Sequence, residues 1–148
     1  MSKFPRIVVG VTLVVSLLAS ACSGASGPRK VIVSQRVCGN VKFLRMKLGE
    51  TNRVILDNRE HSDDQNGMSV SLTKFPVIIK GAIPEGSKID SPFSTITLNA
   101  APGEQQSVDL EPTFSGSFDG TCTVRFTKPG GAGQQVRQEG LTFQFVDK

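Results

Sequence analysis

Apolar and polar residues alternate along nearly the whole chain between residues 31 and 146. A period of two places every second side chain on one face of an extended strand, whereas an amphipathic helix needs a period near 3.6. Val, Ile, Thr and Phe, which favour strands, occupy most of the alternating positions. The predicted strands lie within residues 31–36, 41–48, 54–56, 68–80, 93–98, 107–110, 118–126 and 141–146.

Turn-forming residues separate these segments. Pro76 divides the segment 68–80 into two runs, and residues 81–92 hold several Gly and Pro residues. Residues 129–133 contain only Pro, Gly and Ala, which predicts a hairpin loop. Eight or so short strands at this spacing predict one all-β domain, a Greek-key sandwich or barrel.

The first 22 residues have the organisation of an export signal. Lys3 and Arg6 precede an apolar stretch at residues 7–18, and the small residues Ala-Ser-Ala at 19–21 lead directly to Cys22. The apolar stretch is shorter than the roughly 20 residues that a membrane-spanning helix needs. We therefore expect residues 1–21 to be a removable signal peptide.

The sequence L-A-S-A-C at 18–22 resembles the lipobox of bacterial lipoproteins. The resemblance implies that the Cys22 thiol receives a lipid and that cleavage makes this residue the mature N-terminus. An N-terminus that carries two or more acyl chains is anchored stably in a membrane. Cleavage at Ala-Ser-Ala by an ordinary signal peptidase, without lipid, is the alternative. In the lipid-anchored form, residues 22–30 are expected to be a flexible tether, and residues 31–148 are expected to form the domain at the outer face of the cell membrane.

Charge argues against nucleic acid as a partner. The formal net charge is +4, and removal of Lys3 and Arg6 leaves 15 basic and 13 acidic side chains, a balance near +2. No run of Lys and Arg supplies the basic surface that nucleic-acid binding needs. The expected partners are the membrane, through the N-terminal lipid, and an unidentified envelope protein or glycan.

Two cysteines remain in the predicted domain, Cys38 and Cys122. Disulfides persist outside the cytoplasm, and an even number of cysteines in an exported chain favours a structural bridge between them. A reactive thiol or a metal ligand is the alternative, although no C-x-x-C motif is present.

Three stretches of the domain resemble cupredoxins. L-G-E-T at 48–51 followed by V-I-L-D-N at 54–58 is similar to a strand pair of that family. A-P-G-E at 101–104 followed by V-D-L at 108–110 is similar to the family's P-G-E turn and the strand after it. S-G-S-F at 115–118 with Cys122 resembles the approach to the copper cysteine. The resemblance implies a cupredoxin-like sandwich over residues 31–146, with an immunoglobulin-like sandwich as the alternative.

The copper ligands of that family are missing here. A cupredoxin site holds copper with two His, one Cys thiolate and a weak axial Met. His61 is the only His in the sequence, and neither His nor Met follows Cys122. We therefore expect no metal and no cofactor; a degenerate copper site made from His61, Met68 and Cys122 remains an alternative.

The loop before residue 68 holds further candidate residues, namely Glu60, His61, Asp63 and Asp64. Their spacing fits no EF-hand pattern, so a solvated acidic loop is expected. No G-x-S-x-G motif is present, and Ser62 is adjacent to His61 in the chain. Met46 and Met68 are expected in the core. The sequence therefore predicts a non-enzymatic binding or structural module.

Overall fold

A computed structural model describes residues 27–40 and 43–147 of the chain. They form ten strands and one short helical turn, α1, at Val37–Asn40. The strands are β1 at Arg29–Ser34, β2 at Phe43–Lys47, β3 at Asn52–Asp57, β4 at Gln65–Phe75, β5 at Val77–Lys80, β6 at Lys88–Asp90, β7 at Phe93–Ala100, β8 at Gln105–Pro112, β9 at Gly116–Thr127 and β10 at Gln134–Val146.

The strands form two sheets that pack face to face. The smaller sheet has the order β1-β3-β8-β5, and the larger has the order β2-β10-β9-β4-β7-β6. Most neighbours are antiparallel, but β1 pairs with β3 and β2 pairs with β10 in parallel. This arrangement confirms the predicted all-β sandwich.

The alternation of the sequence corresponds to the two faces of each strand. On β3, Val54 and Leu56 are fully buried while Ile55 between them is partly exposed. On β9, Cys122 and Val124 are fully buried and alternate with more exposed residues. Because each sheet contributes one apolar face, the buried side chains of both merge into a single core cluster.

Four phenylalanines form the centre of one end of this core. The ring of Phe75 lies 5.9 Å from that of Phe118, 5.5 Å from that of Phe143 and 5.8 Å from that of Phe145, measured between centroids. Phe143 and Phe145 meet Phe75 edge to face, an arrangement that adds about 0.5–1.5 kcal/mol per pair beyond the burial of the rings. Phe75 therefore connects β4 to β9 and β10 at the end where the chain changes sheet.

The chain passes from the larger to the smaller sheet within very few residues. The pairing of β4 with β7 is irregular between Leu72 and Phe75, and Lys74 there has a φ of 55°. Pro76 alone separates β4 from β5. The bulge turns Phe75 into the core and lets β5 start in the opposite sheet.

The structure differs from the sequence prediction at several strand ends. β6 lies within residues 81–92, which the sequence predicts as loop, and its three residues are all exposed. β1 starts at Arg29, two residues before the predicted beginning of the domain at Val31. These segments escape a search for alternation because exposed edge strands bury few side chains.

Replacing Phe75 with Ala is expected to lower the free energy of unfolding by about 3–5 kcal/mol, because a buried aromatic ring is removed and a cavity remains. Phe43→Ala is the matched control, since Phe43 is 55% exposed. It should change stability by about 0.5 kcal/mol or less. Urea unfolding followed by circular dichroism measures both, and equal losses in the two variants would contradict the packing described.

Candidate functional site

A polar cleft of about 570 Å³ opens on the surface where three segments meet. Its lining comes from the end of β1 and the following turn, from the loop between β3 and β4, and from β10. The lining residues are Ser34, Gln35, Arg36, Glu60, His61, Ser62, Arg137 and Glu139. We call this the polar cleft.

The Cys38–Cys122 disulfide lies next to the polar cleft. Cys38 belongs to α1, which follows the cleft-lining turn at Arg36, and Cys122 pairs in register with Glu139 of the cleft. The two Cα atoms are 5.7 Å apart, and both side chains are buried. The bond therefore attaches the segment after β1 to β9, and it confirms the disulfide predicted from the sequence.

A second hollow of about 510 Å³ adjoins the cleft and shares Ser34, Arg36 and Glu60 with it. Asp57 and Arg59 complete its lining. Nε and Nη2 of Arg59 donate hydrogen bonds of 2.9 and 2.7 Å to the two carboxylate oxygens of Asp57. These bonds favour the charged carboxylate and hold the pKa of Asp57 well below its usual range.

Charges of both signs line the two hollows. Arg36 lies 3.7 Å from Glu60, with both side chains more than four-fifths exposed, so this contact contributes little to stability. The guanidinium of Arg137 lies 5.9 Å from the centre of the Phe126 ring. Together the two hollows are lined by three Arg and three Asp or Glu side chains, which suits polar contacts with a ligand of mixed charge or many hydroxyl groups.

His61 lies on the rim of the polar cleft. Its side chain is exposed, and its Nδ1 is 3.3 Å from the carbonyl oxygen of Arg59. In residues 27–40 and 43–147, no hydrogen bond joins the imidazole to the hydroxyl of the adjacent Ser62. The described part of the chain also shows no group of three or more His, Cys, Asp or Glu side chains placed to hold a metal ion.

The three residues of the degenerate copper alternative lie in different environments. The sulfur of Cys122 is bonded to Cys38, which leaves no thiolate at this position. Met68 is 1% exposed on β4 and belongs to the core, as does Met46, and this confirms the core role predicted for both. His61 is at the surface.

Other predicted features have separate outcomes. The loop between β9 and β10 forms the predicted hairpin turn, in which the amide of Lys128 donates to the carbonyl oxygen of Gly133 at 2.9 Å. Cys22 and the predicted signal peptide lie outside the described residues. In the described ranges, no helix has the length and apolar character to cross a membrane.

Arg36, Arg137 and Glu139 line the cleft although the sequence did not single them out. Arg137 and Glu139 are two residues apart on β10, so a signal was present: residues at this spacing share one face of a strand. Arg36 lies about a hundred positions earlier in the chain. Only the folded arrangement of β1 and β10 brings it to the same cleft.

Comparisons with known proteins do not assign a family. No family model and no curated protein matches this sequence. Among solved structures, the chain is similar to a PapD-like (ASH) domain of human CEP192, with 17% identity, coverage of 81% of this chain and 84% of that chain, and a TM-score of 0.34. It is also similar to amebosin, with 14% identity, coverage of 81% and 100%, and a TM-score of 0.29. Similarities of this size carry no argument about function.

Replacing Cys38 and Cys122 together with Ala, in a protein carrying Cys22→Ser, should lower the free energy of unfolding by about 2–4 kcal/mol. The bond joins residues 84 positions apart and so restricts a large part of the unfolded chain. Urea unfolding of the oxidised parent and the double variant measures the difference. A thiol titration of the unfolded parent that detects free cysteine would contradict the bond.

The Asp57–Arg59 pair should make stability fall in acid. Because the pKa of Asp57 is lower in the folded than in the unfolded protein, its contribution is full above the unfolded value of about 3.9 and disappears as the pH falls through the folded value. Asp57→Asn should flatten the fall of unfolding free energy below about pH 4. Arg59→Gln should have the same effect, and an unchanged acid profile in both variants would contradict it.

Proposed function

We propose that this protein is an exported, lipid-anchored lipoprotein of the bacterial cell envelope, and that its β-sandwich is a non-enzymatic binding module without an intact copper site. The observation that carries the proposal is the Cys38–Cys122 bond. Disulfides persist in oxidising compartments, so this bond fits a domain that functions outside the cytoplasm. The signal-like residues 1–21 and the lipobox-like sequence ending at Cys22 support the same location.

The polar cleft supports a binding role. Its charged side chains come from three separate segments and are held close to a cross-linked part of the fold. Catalysis by a nucleophile would need a base and an orienting partner in hydrogen-bond reach, and His61 has no such pair of partners among the described residues. The mixed charge of the cleft suits a glycan or a polar protein surface.

A cupredoxin-like scaffold that has lost its metal is part of the same proposal. Two of the resembling stretches meet at one point: the amide of Asn58 donates to the carbonyl oxygen of Glu104, and the amide of Gly103 donates to that of Asn58. Nδ2 of the buried Asn58 also donates to the carbonyl oxygen of Ala100 at 3.1 Å. With Cys122 in a disulfide, the scaffold lacks the thiolate that a copper site needs.

Mass spectrometry of the mature N-terminus tests the anchor. We expect the chain to begin at Cys22 and to carry acyl chains, and Cys22→Ser to abolish the modification and release the protein from membranes. A mature chain that begins at an unmodified Cys22 would contradict the lipid anchor while leaving export in place.

Photo-cross-linking in living cells separates the binding role from a purely structural one. A photoreactive residue in place of Arg36 reports on the polar cleft, and one in place of Val136, which is 52% exposed, is the control. The same envelope component cross-linked only from the cleft would support binding. Repeated absence of any product would favour a structural domain, and copper retained by the purified protein would overturn the proposal.

A further inference from the structure

The two sheets are unequal in width, and this leaves a step along one side of the sandwich. β5 is the last strand of the smaller sheet, whereas the larger sheet continues through β7 to β6. The hydroxyl of Ser94 on β7 donates a hydrogen bond of 3.0 Å to the carbonyl oxygen of Val77 on β5, so β7 lies opposite β5. β6 therefore extends beyond β5 and faces no strand of the smaller sheet.

The side chain of Ile89 on β6 shows which way this overhang faces. Ile89 pairs directly with Ser94, and residues directly opposite one another on neighbouring strands point to the same face. Since Ser94 points toward β5, Ile89 points toward the space beside β5. It is 55% exposed, whereas Ser94, Ile96 and Leu98, which lie on the same face of the neighbouring β7, are buried.

A mainly apolar groove of about 380 Å³ occupies this space. Four large side chains in its lining are about half exposed, namely Ile78, Ile89, Phe93 and Phe114. We call this space the vacant lane, because it has the position of a fifth strand of the smaller sheet.

The backbone of β5 presents hydrogen-bonding groups to the vacant lane. The amide of Thr113 donates to the carbonyl oxygen of Pro76, so these two residues form a bonded pair between β8 and β5. The carbonyl oxygen of Pro112 accepts from the amide of Gly49 and therefore points away from Val77, its register partner on β5. In an antiparallel pair, bonded and non-bonded positions alternate. The N–H and C=O groups of Val77 and Ile79 consequently point outward. The carbonyl oxygen of Val77 already accepts a hydrogen bond from Ser94, so Ile79 is the residue that offers both groups to a partner. In residues 27–40 and 43–147, β8 is the only strand that pairs with β5.

We propose that the vacant lane binds an extended segment of a partner protein, with apolar residues at alternate positions, as an added strand next to β5. This inference goes beyond the binding role proposed for the polar cleft, because it assigns a second surface with a partner class of its own. An added strand would lie about 4.8 Å from β5, would bond to Ile79, and would direct every second side chain onto Ile89.

The size and charge of the lane favour a single strand over other occupants. Its four half-exposed side chains offer roughly 300–500 Å² of apolar surface, less than the roughly 800 Å² that each copy contributes to a standard dimer interface. The nearby Lys80 is paired with Glu111 at 2.8 Å, and Lys88 shares β6 with Asp90, so no positive surplus attracts anionic lipid. The chain's own residues 23–28 are Ser, Gly, Ala and Pro, and none of them offers a large apolar side chain to the lane.

Peptide binding to the full mature protein carrying Cys22→Ser tests the lane. The probe is a panel of short synthetic peptides in which Val, Ile or Phe alternates with Thr, each ending in Lys for solubility. We expect at least one peptide to shift the NMR signals of the β5 and β6 amides. Ile89→Lys should weaken that peptide's affinity about tenfold or more, whereas Val136→Lys on β10 should leave it unchanged.

Backbone methylation identifies the mode of binding. N-methyl groups on the alternate residues that face β5 should abolish binding, and N-methyl groups on the other residues should preserve it. Equal effects of the two patterns, shifts away from β5 and β6, or no binding peptide in the panel would overturn the proposal.

Two further outcomes would assign the lane to another occupant. If sedimentation shows a dimer that Ile89→Lys abolishes, the occupant of the lane is a second copy of this chain and not a partner strand. If the protein binds vesicles of phosphatidylethanolamine and phosphatidylglycerol and the same variant does not, the lane contacts a membrane and not a partner strand. The peptides could fail to bind in a protein whose Cys22 is found acylated and whose polar cleft is found cross-linked to a partner. That combination would overturn the strand-binding proposal for the lane and leave the proposed function in place.

Discussion

One shared apolar layer between two sheets of unequal width determines most of this structure. Inward-facing apolar side chains are buried where the opposite sheet covers them, and four strands cannot cover all of six. The helical turn α1, which carries the core residue Cys38, contacts β10 of the larger sheet, and the disulfide fastens it to β9. On the opposite side, no described element performs this role above β6. The polar cleft thus lies next to the side that α1 covers, and the vacant lane lies at the side that is left uncovered.

The turns that connect the sheets are held by buried amide side chains. Asn52 accepts a hydrogen bond from the amide of Lys47 and donates to the carbonyl oxygens of Lys47 and Glu50, which closes the turn between β2 and β3. Asn58 makes the corresponding connection between β3 and the turn before β8. Because both residues lie inside or next to the cupredoxin-like stretches, the resemblance marks positions where side chains satisfy backbone groups.

Alternation made the central strands predictable because their two faces differ in exposure. On β9, the sequence at 122–126 alternates, and Cys122 and Val124 are fully buried as expected. The first half of β10 could not be found in this way. Residues 134–138 pair with residues 123–127 of β9 but are exposed on both faces, so no pattern of burial acts on them. β6 escaped prediction for the same reason, since its only apolar residue, Ile89, faces an uncovered space.

The candidate sites were less predictable than the strands, because they depend on which strands become neighbours. Cys38 and Cys122 could be paired from the compartment and the even count alone, whereas the meeting of Arg36 with Arg137 requires knowing that the end of β1 lies near β10. The vacant lane requires more still, namely the strand order of both sheets and the direction of the Ile79 backbone. An exposed sheet edge usually invites aggregation, and proteins limit this with short strands and charged ends. β5 has four residues and ends at Lys80, which is paired with Glu111. An edge this short offers few backbone bonds, so a partner strand must gain much of its affinity from side chains that fit against Ile89, and that requirement makes the lane selective.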